Sequence, residues 1–257
     1  MVKPEKGASG KKSGLAFSQL LKYTTLYSIL KSDFSLTKEV AKMITDSKTD
    51  ARKKSPKRAA IIEAATEEFL LCGFSGTSMD QIAKVANVSK RTVYDHFPSK
   101  DNLFQAIVDE ILQQIGEMPS HEYSKEKPLD EQLLAIGKTF ATTITGRDFM
   151  KLSRVVISRF IQAPEWAHNT LNAHARLRQD MIAFFKAGKK DGRLKIGNPE
   201  KAAAQFCGLI KEIAFWPELM AGQEPISTRE RNATVKAAVE MFLDHYLISE
   251  QKRDKFS

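Results

Sequence analysis

Several features that define common protein classes are scarce or missing here. Only two cysteines occur in 257 residues, Cys72 and Cys207, too few for a disulfide framework and not spaced as a zinc knuckle. Two buried free thiols in a reducing cytoplasm are expected. No run of ~18 uncharged apolar residues is present, which excludes a membrane-spanning helix. The apolar stretch Leu15–Leu30 is broken by Lys22 and several hydroxyl residues, and no small-residue cleavage site closes it, against a signal peptide. Strand signals are sparse, since no Asn-Gly or Asp-Gly pair separates two alternating runs. The motifs GxSxG, GxxxxGKS/T, HExxH and GxGxxG do not occur, so the chain is expected to be neither an enzyme nor dependent on a cofactor. His168 and His174 lie six positions apart, roughly 240° around a helix, and cannot share a metal from one face. What remains is a chain 42% hydrophobic and 28% charged, with mean hydropathy −0.34. That composition suits a soluble globular protein of about one or two domains, with chain enough for a real core.

Charge is distributed unevenly. The net +9 sits in residues 1–60, where 14 Lys and Arg face 5 Asp and Glu; the remainder is close to neutral. The densest part is Arg52, Lys53 and Lys54, followed by Lys57 and Arg58. Such a block is either a solvated tail or an arm that gains affinity for phosphates by releasing their counterions. On its own the block favours the tail.

Helical periodicity recurs along the rest. From Arg58 to Cys72, residues Ile61, Ile62, Ala65, Phe69 and Leu70 share a face, and Gly73 ends the run. A short helix is predicted from Met79 to Ala86 behind Thr77 and Ser78 as N-cap candidates, and another from Ser89 to Phe97, closed by Pro98. Ser99 caps a longer one that ends near Gly116. Five further segments follow. Pro128 opens the first and Gly146 closes it; the second stops at Pro164; the third runs from about Glu165 to Ala187, broken by Gly188 and Gly192. Asn198-Pro199-Glu200 starts the fourth, which continues to Phe215 and beyond, and the capping box Ser227-x-x-Glu230 starts the fifth. The prediction is an all-α chain.

Residues 77–97 carry the function. The sequence TSMDQIAKVANVSKRTVYDHF reads as helix, tight turn, helix. Asn87 suits the turn because a short polar side chain tolerates positive φ. Val88 and Val93 point inward, which leaves Lys90, Arg91, Thr92, Tyr94 and His96 mainly outside. This is the layout of a helix-turn-helix, or of an ordinary helical hairpin with a polar face. In the first case Lys and Arg donate to guanine, Thr meets a thymine methyl or a phosphate, and Tyr reaches the backbone.

The stretch Arg58–Leu112, with GFSGTSMDQIAKVANVSKRTVYDHFPSKDNLF at its centre, resembles the TetR family of bacterial transcriptional regulators. It carries the family's Gly-aromatic turn, a Thr-Ser pair, Ile-Ala-x-x-Ala and Tyr-x-x-Phe-x-x-Lys, with Asn87 where Gly is usual and Asn102 where Glu often completes the cap. The resemblance implies an N-terminal three-helix DNA-binding domain and a C-terminal helical ligand-binding and dimerising domain. The implied division is an extension at 1–50, the basic arm and helix-turn-helix at 51–100, the ligand-binding and dimerisation domain at 101–250, and a tail at 251–257. It further implies Thr77, Ser78, Tyr94 and Lys100 as phosphate contacts, Lys90, Arg91 and Thr92 as the base-reading set, and His96 as an additional contact. DGRLKIGNPEKAAAQFCGLIKEIAFWPELMAG is similar to the AefR-like group of C-terminal domains. Phe149, Phe160, Trp166, Phe184, Phe215 and Trp216 are candidates for an apolar ligand pocket, although helical spacing also suits plain core.

The expected function is a cytoplasmic, nucleoid-associated homodimeric repressor. It would hold a palindromic double-stranded operator and be released by a small-molecule effector. The alternative is a TetR-fold interaction protein whose regulated partner is another protein, with DNA as scaffold. For the extension three readings stand: a docking helix, a tail that adds nonspecific DNA affinity, or a true start at Met43 that leaves the Arg52–Arg58 block as the arm.

Overall fold

The structure is a computed structural model that describes residues 55–165 and 175–248. Arg52, Lys53, Lys54, Trp166, His168, His174 and the three readings of the extension lie outside these residues.

Ten helices are present among the described residues: α1 Pro56–Gly76, α2 Met79–Val85, α3 Lys90–His96, α4 Lys100–Gly116, α5 Leu129–Ile144, α6 Arg147–Gln162, α7 Ala175–Lys190, α8 Pro199–Ala214, α9 Trp216–Ala221 and α10 Thr228–Tyr246. The only β pairing there is an isolated bridge between Leu194 and Leu247. None of the described helices is long and apolar enough to cross a membrane.

Helix starts follow from side-chain oxygens that accept otherwise orphaned amides. Ser227 accepts from the Glu230 amide while the Glu230 carboxylate accepts from the Ser227 amide, completing the expected capping box. Asn198 accepts from the Lys201 amide with Pro199 in the first turn. Ser99 accepts from the Asn102 amide and its hydroxyl donates to Asn102 Oδ1 at 2.7 Å. The Asn at that position therefore still engages the cap. Helix α1 begins earlier than predicted, because Ser55 caps it and Pro56 supplies the pre-set φ of a first turn. Lys57 and Arg58 are thus helical residues and do not belong to an arm.

Other boundaries differ for local reasons. Gly146 does not close α5, which ends at Ile144; it stands at the N-cap of α6. α7 runs through Gly188 to Lys190, since the bare Cα of Gly188 makes room for Leu194, and the chain turns instead at Gly192, φ 71. The expected single helix through Phe215 is two, because Phe215 departs from helical geometry ahead of Pro217.

Helices α1, α2 and α3 form a head around Ile61, Ala65, Ile82, Val93 and Phe97, all buried. Helix α4 packs on α1, α6 and α7 and joins this head to a body made of α5–α10. The body is centred on Phe185, Phe206 and Phe242, all buried, with Phe185 and Phe242 stacked at 4.8 Å and Phe206 edge-on to Phe242 at 5.4 Å. Rings in such geometry add to the large area each one buries. Leu70 departs from the predicted core face and is 40% exposed, and Cys72 is exposed, while Cys207 is buried beside Met181. Leu70 and Cys72 stand two positions apart, roughly 200° around the helix, in the last turns of α1, and both keep apolar surface in water.

Helices α5 and α10 meet closely at Gly137, where an added Cβ would stand 2.7 Å from Val235 Cγ1 and 3.4 Å from Phe206. Both neighbours are fully buried and have no room to yield. Gly137→Val is expected to cost about 1–3 kcal/mol by overpacking, read as a lower midpoint in chemical denaturation. An unchanged midpoint would show that the two helices separate freely.

Candidate nucleic-acid interface

The turn between α2 and α3 adopts the predicted conformation. Asn87 has φ 51, the one positive φ at a non-glycine position among the described residues, and its amide donates to the Lys84 carbonyl while that of Val88 donates to Ala83. Ser89 then caps α3, accepting from the Thr92 amide at 3.1 Å. Val93 is fully buried and Val88 partly so, and these two anchor one side of α3 to the head.

The other side of α3 faces outward. The Arg91 side chain is 90% exposed, with its Nε 3.9 Å from Asp95, and Tyr94 is 49% exposed. Lys90 is exposed and reaches back to Asp80 on α2 at 2.5 Å. Thr92 exchanges a hydrogen bond with Ser89 through the two hydroxyls. His96 is half-buried with its ring 6.3 Å from that of Phe97. Ser78 caps α2 from the same surface and accepts from the Gln81 amide, a bond that does not use its own hydroxyl proton. Lys57 is exposed in the first turn of α1.

Two of the expected phosphate contacts are placed otherwise. Thr77 is buried, and its hydroxyl donates inward to the carbonyls of Gly73 at 2.8 Å and Glu68 at 3.1 Å. It caps the end of α1 beyond the kink at Gly73, φ 71, so its side chain does not face the outer surface. The Lys100 ammonium donates to the carbonyls of Phe74 at 2.5 Å and Thr77 at 2.8 Å and lies 4.5 Å from the Phe74 ring centroid. Desolvation by burial pulls its pKa below the ordinary lysine value; Asp101 opposes this and Arg159 adds to it. Lys100 is therefore first a strut between α4 and the turn ahead of α2.

The periodicity did not single out three residues of this region. Phe74 is buried and packs edge-on to Phe104 at 5.6 Å. Asp80 holds Lys90. Arg159 on α6 stacks over Phe74 with its guanidinium carbon 3.9 Å from the ring centroid. Only the Gly-aromatic pair at 73–74 hinted at the first of these.

The body holds a cavity of about 40 Å³ beneath the end of α4, lined by Ile115, Met118, Phe140 and Phe184 with His121 and Asp180 as polar wall. His121 Nε2 lies 3.0 Å from the Thr139 hydroxyl. Of the aromatic residues proposed for a pocket, Phe184 lines it. Phe149, Phe160 and Phe215 are instead buried core, with Phe149 and Phe215 in edge contact at 6.3 Å and Trp216 against Phe215 at 5.0 Å.

Lys100→Ala should remove two hydrogen bonds from a charged donor and leave two carbonyls without it. A loss of about 2 kcal/mol is expected, together with weaker DNA binding at every sequence and a nearly unchanged salt dependence. A salt slope lower by about 1 would instead give Lys100 a direct phosphate.

The geometry agrees with what the chain is similar to. Residues 61–107 match the family model described as bacterial regulatory proteins, tetR family, and residues 131–248 match AefR-like transcriptional repressor, C-terminal domain. A solved TetR family transcriptional regulator from Pseudomonas syringae pv. tomato str. DC3000 is 38% identical, covering 77% of this chain and 99% of that one with TM-score 0.64. The uncharacterized HTH-type transcriptional regulator YhgD of Bacillus subtilis (strain 168) is 26% identical over 171 residues, 62% of this chain and 83% of that protein. The regulator RutR of Escherichia coli (strain K12) is 44% identical over 62 residues, 24% of this chain and 29% of RutR. Each of these relatives is named as a transcriptional regulator. With a helix-turn-helix head formed by α1–α3 and an AefR-like helical body, the chain belongs to the TetR family of bacterial transcriptional regulators.

Proposed function

We propose that the protein is a cytoplasmic repressor that holds a palindromic operator as a homodimer and releases it when a small molecule occupies the cavity under α4. The observation that carries this reading is the asymmetry of α3: one side is locked into the head through Val93, and the other presents Arg91 and Tyr94 to solvent. A short helix held this firmly offers a rigid edge to a major groove. Arg91, Lys90 and Thr92 are assigned to base edges, and Ser78, Tyr94 and His96 to backbone or nearby oxygens. Lys57 and the basic residues Arg52, Lys53 and Lys54 are assigned to phosphates flanking the site. The effector half of the reading is supported by α4, which touches the cavity at Ile115 and the head at Lys100. A solved relative that is 26% identical, the Flavonoid-responsive Regulator FrrA, is in keeping with small-molecule control in this group.

The paired state is assigned to α8 and α10. On these helices Ile213 is 58% and Met241 59% exposed, large apolar side chains that a second copy would cover. Leu209, the residue that periodicity places on the outer stripe, is partly buried already. Ile213→Glu is expected to give monomers in sedimentation and to abolish tight operator binding; a variant that stays dimeric would move the interface elsewhere.

Base reading has its own test. Arg91→Ala should relax specificity at one base position, at a cost of about 1–3 kcal/mol for a bidentate guanine contact, whereas Tyr94→Phe should weaken all sequences alike. Competition binding on duplexes carrying each base change separates the two. Equal losses on all duplexes for Arg91→Ala would make it a backbone contact.

A further inference from the structure

The kinked end of α1 that leads into α2, residues 73–77, is held from three directions. Thr77 ties it to α1 through the Glu68 carbonyl. Lys100 at the start of α4 ties it through the carbonyls of Phe74 and Thr77. Arg159 reaches it from α6, with the guanidinium over one face of Phe74 and Nη2 3.8 Å from Asp101. The Arg159 side chain is 19% exposed, and cation–π pairs strengthen as water is withdrawn. A second tie runs from the same helix, where Lys151 pairs with Glu63 and with Glu67 at 3.6 Å on α1. Those acids are 63% and 51% exposed, so that tie is weak.

Removal of Arg159 leaves the interior of the head intact. Ile61, Ile82, Val93 and Phe97 are buried in the head, and the Asn87 turn and the Ser78 and Ser89 caps are local. What is lost is the body's grip on the turn. In a dimer paired through its body, that grip sets where each α3 stands relative to the other. The geometry points to Arg159 as a positioning residue for operator recognition: through Phe74 it fixes the angle of each head on the body, and so the half-site spacing the dimer accepts. The inference rests on the paired-head reading above.

The test uses the full chain and an operator recovered by selection from random duplexes. Binding is measured to that operator, to the same operator with its half-sites moved apart by one base pair, and to a single half-site. Wild type should prefer the selected spacing. Arg159→Ala should weaken the intact operator roughly tenfold, lose most of the preference between the two spacings, and keep wild-type affinity for the single half-site. Arg159→Lys keeps the charge for Asp101 but loses the planar stack, and should restore part of the spacing preference. Arg159→Ala with full spacing preference overturns the assignment. So does a parallel loss at the single half-site, because it would make Arg159 a mere support for the head fold. A wild type that binds one half-site as tightly as the whole operator would instead overturn the paired-head reading, and this proposal with it.

Discussion

The ring of Phe74 is where the two halves of the molecule meet, and the rest of the arrangement depends on how it is held. Its edge meets Phe104 of α4, Phe69 lies 5.4 Å away on α1, and two cations, Lys100 and Arg159, lie near it at 4.5 and 3.9 Å. Burial is the first cause of the lowered pKa of Lys100, and the positive charge of Arg159 adds to it. The ring quadrupole and Asp101 offset the repulsion between the two cations, and the two carbonyls that accept from Lys100 replace its lost water. The backbone of residues 73–77 cannot drift without breaking several of these bonds together. Because α2 starts at the next residues, the direction of the whole recognition unit is inherited from this cluster.

Helix α4 extends that constraint into the body. At ~1.5 Å per residue its 17 residues span about 25 Å, with Lys100 at one end and Ile115 and Gly116 on the cavity wall at the other. A molecule in the cavity can affect DNA binding only by its differential affinity for two positions of such an element. The cavity of about 40 Å³ holds only a few waters, so in the proposed reading an effector larger than these would displace its wall. The side chains best able to yield are Met118 and Met181, unbranched and adaptable, and Met181 shares its other side with Cys207. In the proposed reading, a shift of α4 at this end would reach the cluster around Phe74 at the other.

What could be read in the residues divides along sequence distance. The capping box at Ser227, the Asn198-Pro199 start and the left-handed Asn87 depend on neighbours a few positions away, and each is found as expected. The family resemblance likewise rests on a contiguous run. The inward turn of Thr77 rests on carbonyls 4 and 9 positions back, and the commitment of Lys100 on carbonyls 23 and 26 positions back; no sequence motif announces either. The same holds for Arg159, which meets a ring far back in the chain. Proline and glycine signals were ambiguous for a different reason. Pro217 cuts a helix that periodicity would carry on, whereas Gly188 permits a close approach inside one.

The same distinction explains why lysines ten residues apart are suited to different work. Lys90 pairs with Asp80 at a site where both side chains are more than half exposed, and such a pair contributes at most about 1 kcal/mol. In the proposed reading, phosphate or guanine replaces that carboxylate at little cost, and the pair with Asp80 holds the Lys90 side chain in reach of such a partner. Lys100 donates to two carbonyls at a site that burial has already partly desolvated, so withdrawal of its ammonium would deprive both of a charged donor at once. A cation that can leave its partner cheaply suits recognition; one that cannot suits architecture. On the proposed reading, desolvation more than position in the motif separates the lysine assigned to DNA from the one that holds the end of α1.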